Sequence, residues 1–161
     1  MTGGHLSKIK TLEEACRLRE RLEKDGLSLV FTNGCFDLLH PGHVRYLAAA
    51  RKMGDHLLVA VNSDRSVVKI KGPSRPVQPQ SVRAEMLSAL ESVDSVIVFD
   101  EETPLRVIEA LTPDVLVKGG DWKEADIVGA DVVRARGGLV RSIPFEKGFS
   151  TTAMIEKIRG L

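Results

Sequence analysis

The sequence predicts an α/β protein with a doubly wound, Rossmann-like sheet of five parallel strands and helices on both faces. Short, almost wholly apolar runs such as "HLLVAVN" alternate with segments of helical spacing. Strands that are apolar along their whole length are typical of parallel sheets covered on both sides. The 161 residues suffice for one full hydrophobic core, and no internal repeat divides them. We therefore expect a single domain, 1–161, with an N-terminal helix in 1–26 and the core in 27–161.

The first half of the chain carries clear signals for helix ends. In "TLEEACRLRERLEKDG", Thr11 and Glu14 have the spacing of a capping box, while Lys24 and Gly26 suit the C-terminal end of a helix. "LSLVF" predicts the first strand. The next helix is predicted to begin near Pro41 and to include "VRYLAAARKMG". "HLLVAVN" is then the second strand.

The second half continues the alternation after a basic, proline-rich stretch. "SDRSVVKIKGPSRPVQPQ" predicts a short turn of helix and an irregular loop, followed by the helix "SVRAEMLSALES" and the strand "SVIVF". Thr103 and Pro104 open the next helix, with Pro104 at its first helical position. "DVLVKGGDW" is a strand that enters a glycine turn, and "ADIVGADVVRARGG" predicts one helix ending at Gly137. "LVRSIPF" and "STTAMIEKIRG" predict the fifth strand and the closing helix.

Composition and charge exclude several classes of protein. The 23 basic and 22 acidic residues nearly cancel, so bulk charge does not direct this chain to nucleic acid or anionic lipid. No apolar run reaches the roughly 18 residues of a membrane span, and "MTGGHLSKIK" lacks the apolar core of a signal peptide. Two cysteines, Cys16 and Cys35, are too few for a disulfide framework. We expect a cytoplasmic protein without nucleic-acid or membrane partners.

Polar residues and glycines collect where predicted strands end. Because ligands of open parallel sheets bind at the carboxyl ends of the strands, these segments should meet at one edge. The segments contain Asn33, Gly34 and Cys35; Asn62 and Asp64; Lys118, Gly120, Asp121 and Trp122; and, before the last helix, Ser150, Thr151 and Thr152.

The stretch "TNGCFDLLHPGH" between the first strand and the second helix predicts an anion site. A helix that begins near Pro41 directs free N–H groups and its positive end toward this edge. His40 and His43 flank the first turn and can donate hydrogen bonds to the same anion, and Gly42 permits close approach. The basic loop and the hydroxyls of the last helix complete a set suited to a polyphosphate.

Each feature also has a plainer interpretation. Cys35, Asp37, His40 and His43 are potential metal ligands, but neither C-x-x-C nor H-E-x-x-H occurs, so we expect no metal centre built from protein alone. The basic loop could be a solvated surface, and "STT" an ordinary N-cap. Trp122 suits a ligand lid or a base-stacking wall better than a core position. Cys35 is a weak candidate nucleophile because no residue of its loop is clearly placed to activate it.

Two motifs at opposite ends of the chain carry a family resemblance. "GCFDLLHPGH" resembles the G-x-F-D-x-x-H-x-G-H string of the HxGH nucleotidylyltransferase superfamily, and "GFSTTAMI" resembles its S-T-T hallmark. Within this superfamily, "TNGCFDLLHPGHVRYL", "KGPSRPV", "PDVLVKGGDW" and "IVGADVVRARGG" are similar to the adenylyltransferases that make ADP-heptose for the lipopolysaccharide core. The resemblance covers nearly the whole chain from about residue 27 onward.

The resemblance implies transfer of AMP from ATP to D-glycero-β-D-manno-heptose 1-phosphate, with Mg²⁺ accompanying the triphosphate. Because 161 residues leave no room for a sugar-kinase domain, a separate heptose kinase and a phosphatase would act upstream. Glycerol-3-phosphate cytidylyltransferases are the nearest alternative, but Phe145 stands where their R-T-x-G-I-S-T-T string has arginine. A nucleotide-sensing module without turnover is the non-enzymatic alternative. The oligomeric state stays open, a homodimer included.

The resemblance also implies roles for individual residues. His40 and His43 would contact the triphosphate and the transition state, and Lys71, with Lys69 as partner, would bridge nucleophile and α-phosphate. Ser150, Thr151 and Thr152 would hold the β- and γ-phosphates, and the "KGGDW" turn would hold the base. The other expected nucleotide-binding residues are Asn33, Gly34, Cys35, Phe36, Asp37, Gly42, Lys118, Gly120, Asp121 and Trp122. The expected sugar-phosphate residues are Asn62, Asp64, Arg75 and Arg83.

Overall fold

The computed structural model describes residues 4–161 and contains the predicted five-stranded parallel sheet. The strands are Leu29–Gly34 (β1), His56–Asn62 (β2), Ser95–Phe99 (β3), Val115–Gly119 (β4) and Leu139–Ile143 (β5). They lie in the order β3-β2-β1-β4-β5, and every pairing is parallel. The α/β, Rossmann-like fold class is therefore confirmed. Residues 1–3 of the predicted N-terminal segment lie outside the described part.

Seven α-helices surround this sheet. They are Leu12–Lys24 (α1), Pro41–Arg51 (α2), Asp64–Lys71 (α3), Gln80–Ser88 (α4), Leu105–Leu111 (α5), Ala130–Ala135 (α6) and Thr151–Arg159 (α7). Short 3₁₀ turns occupy Gly4–Lys8 and Glu124–Asp126. Helix α7 buries none of its residues. Within 4–161, no helix combines the length and apolarity that crossing a bilayer requires.

Two apolar cores lie on opposite faces of the sheet because successive strand residues point to opposite sides. Leu29 and Phe31 of β1 pack in one core with residues of α1, α5 and α6. Val30, between them, packs in the other core with residues of α2 and α4. Both faces of the central strand are thus covered, which explains its unbroken apolar sequence.

The first helix has the predicted ends. The Thr11 hydroxyl accepts a hydrogen bond from the Glu14 N–H at 3.2 Å, and the Glu14 carboxylate accepts one from the Thr11 N–H at 2.8 Å. Buried Arg19 of α1 donates two hydrogen bonds to Asp114, which also accepts from the Leu29 N–H at 2.7 Å. This carboxylate therefore joins α1 and the start of β4 to the start of β1.

The single helix predicted for "ADIVGADVVRARGG" is wrong. The backbone of Gly129 has φ +84°, a left-handed conformation that interrupts the helix, and α6 begins only at Ala130. A Cβ at Gly129 would lie 2.7 Å from Cδ1 of Ile108, so the tight contact with α5 also requires glycine. Pro104 is the N-cap of α5 instead of its first helical residue.

Strand β1 is the point where the order of the sheet reverses. It pairs with β2 on one side and β4 on the other, and the connections on its two sides cover opposite faces. In such sheets the crevice beyond the carboxyl end of the central strand is where ligands bind. The stretch that follows β1 is the one that holds both histidines.

Candidate active site

A cleft of about 440 Å³ opens at the carboxyl ends of β1, β2 and β4. Its predicted lining residues are Asn33, Gly34, Cys35, Asn62, Lys71, Lys118 and Trp122. Its volume lies in the range of small-molecule sites. The fold thus brings together residues from three of the four segments at which the sequence placed ligand contacts.

The two histidines form a reciprocal cap at the start of α2. His40 is the N-cap, its Nδ1 accepts from the His43 N–H at 3.3 Å, and Nδ1 of His43 accepts from the His40 N–H at 3.4 Å. Because both Nδ1 atoms accept, the hydrogen of each neutral imidazole lies on Nε2. The helix start therefore carries two Nε2–H donors in addition to its own free N–H groups.

Burial keeps these imidazoles neutral at neutral pH. It lowers the pKa of His43 to about 4, and repulsion from His40 in its protonated form and from the Lys71 ammonium adds to the effect. Burial also lowers the pKa of His40. The rings stack with centroids 3.8 Å apart and planes 17° from parallel. Both residues can thus donate a hydrogen bond from Nε2 without carrying charge of their own.

Aromatic residues enclose the imidazole pair. Phe36 meets His43 edge-on with centroids 5.5 Å apart, and Phe149 stacks on His40 at 5.9 Å. A Cβ at Gly42 would lie 3.0 Å from the His40 ring and 3.2 Å from Cβ of Phe149. A side chain at this position would need the His40 ring or Phe149 to shift by a few tenths of an ångström, so glycine suits the packing of the rings independently of any anion. We call Phe149, His40 and His43 the ring stack.

Asp37 is an anchor for the loop between α3 and α4. Its side chain is fully buried and accepts from Nε of Arg75 at 2.7 Å and from the N–H groups of Val77 and Gln78 at 2.9 Å. Burial alone raises the pKa of Asp37, but the hydrogen bonds from Gln78, Val77 and Arg75 outweigh burial and hold it below its usual value. Two predicted ligand contacts, Asp37 and Arg75, are bonded to each other.

Arg83 is also engaged within the protein. Its side chain is buried, and its nitrogens donate to the carbonyl oxygens of Gln78 and Cys35 and, at 2.9 Å, to Oδ1 of Asp64. It does not line the cleft. Asn62 does, although it is almost fully buried and donates to the Ser66 hydroxyl at 3.0 Å. Of these predicted sugar-phosphate residues, the structure brings only Asn62 to the cleft.

Lys71 lies between the cleft and a second cavity of about 390 Å³. The second cavity is lined by Lys71, Ser74, Arg75, Thr152, Ile155, Glu156 and Arg159. Lys69 lines neither space, because residues two apart on a helix point in nearly opposite directions.

The three residues of the "STT" segment make different contacts. Ser150 is the N-cap of α7 and accepts from the Ala153 N–H at 3.3 Å. The Thr151 hydroxyl donates to the carbonyl oxygen of Leu38 at 3.1 Å, which joins α7 to the loop before α2. Only Thr152 lines the second cavity. One hydroxyl of the three therefore faces a space that could hold a ligand.

The glycine turn after β4 forms one wall of the cleft. Lys118 donates to Oδ1 of Asn33 at 3.5 Å, and burial lowers the pKa of its ammonium group. Gly120 has φ +110°, and Trp122, about half exposed, lines the cleft beyond the turn. Asp121 is exposed and does not line it.

Several cleft residues were missed by the sequence analysis. They are Ile70, Glu102, Thr103, Pro104, Asp126, Ile127, Val128 and Phe145. Glu102 and Thr103 follow the carboxyl end of β3, where ligand-binding residues of parallel sheets are expected, so their positions could have been predicted. Phe145 could have been found only as the departure from the cytidylyltransferase string. In the second cavity, Arg159 lies far from any motif. Among residues 4–161, no three His, Cys, Asp or Glu side chains could together hold a metal ion.

Comparison with known families identifies the class of protein. Residues 31–157 match the model of the family described as cytidylyltransferase-like. This span includes the histidine pair, Lys71 and "STT". The chain belongs to this family and is a nucleotidyltransferase.

Two HldE proteins are similar to most of this chain. The bifunctional protein HldE of Gluconobacter oxydans (strain 621H) is 54% identical over 144 residues, which are 89% of this chain and 30% of that protein. HldE of Haemophilus ducreyi (strain 35000HP / ATCC 700724) is 52% identical over 153 residues, 95% of this chain and 32% of that one. The chain thus spans less than a third of the length of these relatives.

Solved structures agree with the fold. The lipopolysaccharide core biosynthesis protein from Thermoplasma volcanium GSS1 superposes with a TM-score of 0.62 at 29% identity, covering 77% of this chain and 100% of its own. Pantoate-beta-alanine ligase from Francisella tularensis gives a TM-score of 0.61 at 14% identity, covering 95% and 78%. The second likeness concerns the fold alone.

Removing the Asp37 charge should destabilise the protein. Asp37→Asn leaves the guanidinium of Arg75 without its buried partner, so we expect the free energy of unfolding in urea to fall by about 3–5 kcal/mol. Glu13→Gln, which breaks the exposed Glu13–Arg17 pair, is the matched control and should cost less than about 1 kcal/mol. Equal losses in the two variants would contradict the anchoring role of Asp37.

The stability of the protein should fall in mild acid because His43 stays neutral in the folded state. Its pKa is about 4 when folded and 6.5 in the reference state, so between these values the unfolded chain binds more protons. Unfolding free energy should therefore drop as pH falls through this window. It should drop more steeply than in His43→Gln, by at most about 1.4 kcal/mol per pH unit. Urea titrations at several pH values test this, and parallel profiles would contradict it.

Proposed function

We propose that this chain is an adenylyltransferase that moves AMP from ATP to D-glycero-β-D-manno-heptose 1-phosphate, giving ADP-heptose and pyrophosphate. The observation that carries the reaction type is the histidine pair with two Nε2–H donors at the start of α2. The acceptor is supported by the identity to the HldE proteins and by the likeness to a lipopolysaccharide core biosynthesis protein.

The reaction requires charge stabilisation more than a general base. The second pKa of a phosphate monoester is about 6, so the acceptor is already anionic near neutral pH. An oxygen of the sugar phosphate bonds to the α-phosphorus, and the bond from the α-phosphorus to the bridging oxygen breaks, so pyrophosphate leaves with the electron pair. The protein must hold two anions together and stabilise the charge that develops between them.

His40 and His43 are suited to that charge. Neutral Nε2–H donors fixed at a helix start need no rearrangement as charge gathers on the α-phosphate and the leaving group. The lowered pKa values of both residues therefore favour hydrogen bonding over proton transfer as their role.

Lys71 is suited to bridging the two reactants. It contributes to both the cleft and the second cavity, so one ammonium group can contact phosphates in each space. We assign the nucleoside to the cleft beside Trp122 and the distal phosphates to the second cavity beside Thr152 and Arg75. This assignment leaves the α-phosphate, and the sugar phosphate that attacks it, beside Lys71. Lys69 would act only through its longer-range charge. Asp37, Asp64 and Arg83 would serve the site by holding its loops.

Mg²⁺ belongs to the proposal as part of the ATP complex. The described residues offer no cluster of three potential ligands, so phosphate oxygens and water would supply most of its coordination, as is usual for Mg²⁺. No step is assigned to the ion. A heptose kinase and a phosphatase would supply the sugar 1-phosphate, and the use of ATP favours a cytoplasmic location.

Cytidylyl transfer to glycerol 3-phosphate is the second candidate, favoured by the family description. We expect pyrophosphate release with Mg²⁺ only for ATP with the heptose 1-phosphate when ATP and CTP are each combined with both acceptors. Release with CTP and glycerol 3-phosphate would keep the reaction type and overturn the substrate. If no pair releases pyrophosphate, the adenylyltransferase assignment fails, and nucleotide binding measured by calorimetry would support the sensing module.

Loss of the Lys71 ammonium should slow turnover strongly. We expect Lys71→Ala to lower kcat by about 10²–10³-fold in the same assay, because one preorganised charge is lost where charge develops. Lys69→Ala is the matched comparison and should lower kcat by less than about threefold, since screened charges at a distance act weakly. Equal effects of the two substitutions would contradict the bridging role of Lys71.

A further inference from the structure

Phe149 contacts the histidine pair from the far end of the chain. Its ring lies 5.9 Å from that of His40, with planes 18° from parallel, and His40 in turn stacks on His43. It immediately precedes Ser150, the N-cap of α7. The ring stack therefore joins the start of α2 to the start of α7 through aromatic side chains.

The Phe149 ring is itself held in place. The guanidinium of Arg45 lies 5.4 Å from the ring centroid, and Arg45 is also paired with Glu146. The Thr151 hydroxyl donates to the carbonyl oxygen of Leu38 at 3.1 Å. A Cβ at position 42 would lie 3.0 Å from the His40 ring and 3.2 Å from Cβ of Phe149, so the backbone of Gly42 lies beside both residues. Contacts on both sides of Phe149 along the chain thus fix its ring against His40.

His40 needs such support because its own hydrogen bonds are long. The bonds at its Nδ1 and at its backbone N–H measure 3.3 and 3.4 Å, near the outer limit of hydrogen bonding. Nε2 must point at the reacting phosphates for the imidazole to act. The Phe149 ring lies nearly parallel to the His40 imidazole with centroids 5.9 Å apart, and His43 stacks on His40 at 3.8 Å, so the two neighbouring rings restrict rotation of the imidazole.

We infer that Phe149 is a positioning residue that holds the His40 imidazole in its donating orientation and so couples the seating of α7 to the assembly of the histidine pair. The inference rests on the proposed nucleotidyl transfer, because orientation matters only if Nε2 contacts a reacting phosphate. Phe149, the residue before "STT", then contributes to the reaction by acting through His40.

The test compares Phe149→Ala, Phe149→Leu and Phe149→Tyr. In Phe149→Ala we expect kcat to fall by about 10-fold or more, as for small displacements of catalytic groups, with KM for ATP changed less than about threefold. Phe149→Tyr keeps the flat ring and should recover most of kcat, whereas Phe149→Leu should not. Ile158→Ala removes an exposed apolar side chain from the same helix and serves as the control with unchanged kcat. Equal recovery by Leu and Tyr would overturn the stacking role.

Titration of the histidines provides a second test, which does not depend on enzyme turnover. The Cε1–H signals of the histidines can be titrated by NMR, with His40 assigned from the spectrum of His40→Gln. Groups around this ring are His43, with Lys71 beyond it, and Phe149, with Arg45 and Glu146 beyond it. In Phe149→Ala the pKa of His40 should rise toward its ordinary value as the ring becomes solvated. An unchanged His40 titration would overturn the inference even if no substrate pair tested on the wild type released pyrophosphate.

Discussion

The buried carboxylate of Asp37 is the interaction on which the geometry of this site depends. It joins the loop after β1 to the loop after α3 by accepting from Arg75, Val77 and Gln78. A buried anion is tolerated only when it is paired and fully hydrogen-bonded, so both loops must keep their positions. Lys71 precedes the second loop, and the histidine pair follows the first. One carboxylate therefore sets the relative position of the cationic and imidazole sides of the site.

The site separates two kinds of interaction with anions. In the proposed reaction, Lys71 would supply net charge at the edge of the cleft, while the imidazoles would supply directed hydrogen bonds without charge. The separation follows from burial, which is far more severe at His43 than at exposed Lys71. Charge attracts phosphates over a distance, and neutral donors fixed in place favour one arrangement of them. Together they suit a reaction between two anions.

The sequence predicted the sheet well because its apolar runs report burial directly, as "HLLVAVN" does for β2. It predicted the helix start that carries His40 and His43, because strand ends and helix starts are local features. Neither imidazole lines the cleft, so the anion-binding role of the pair stays a prediction. It could not predict that Arg83 bonds to Cys35 and Asp64, since those contacts join segments distant along the chain. It also missed the break at Gly129, where the backbone is left-handed and a Cβ would collide with Ile108, a residue distant along the chain. The charged side chains of Arg83 and Asp64 were predicted to bind ligand, whereas in the folded protein they bond to each other and hold the structure together.

Helix α7 buries none of its residues, yet it supplies Thr152 and follows directly on Phe149. An element without buried side chains gives up little apolar contact when it separates from the rest of a protein. The two cores under α1, α2, α4 and α5 would stay intact during such a separation. Local unfolding of this helix would therefore cost little apolar contact, and by the proposed role of Phe149 the same motion would loosen His40. Departure of a tightly held product could proceed by this route without disturbing the sheet.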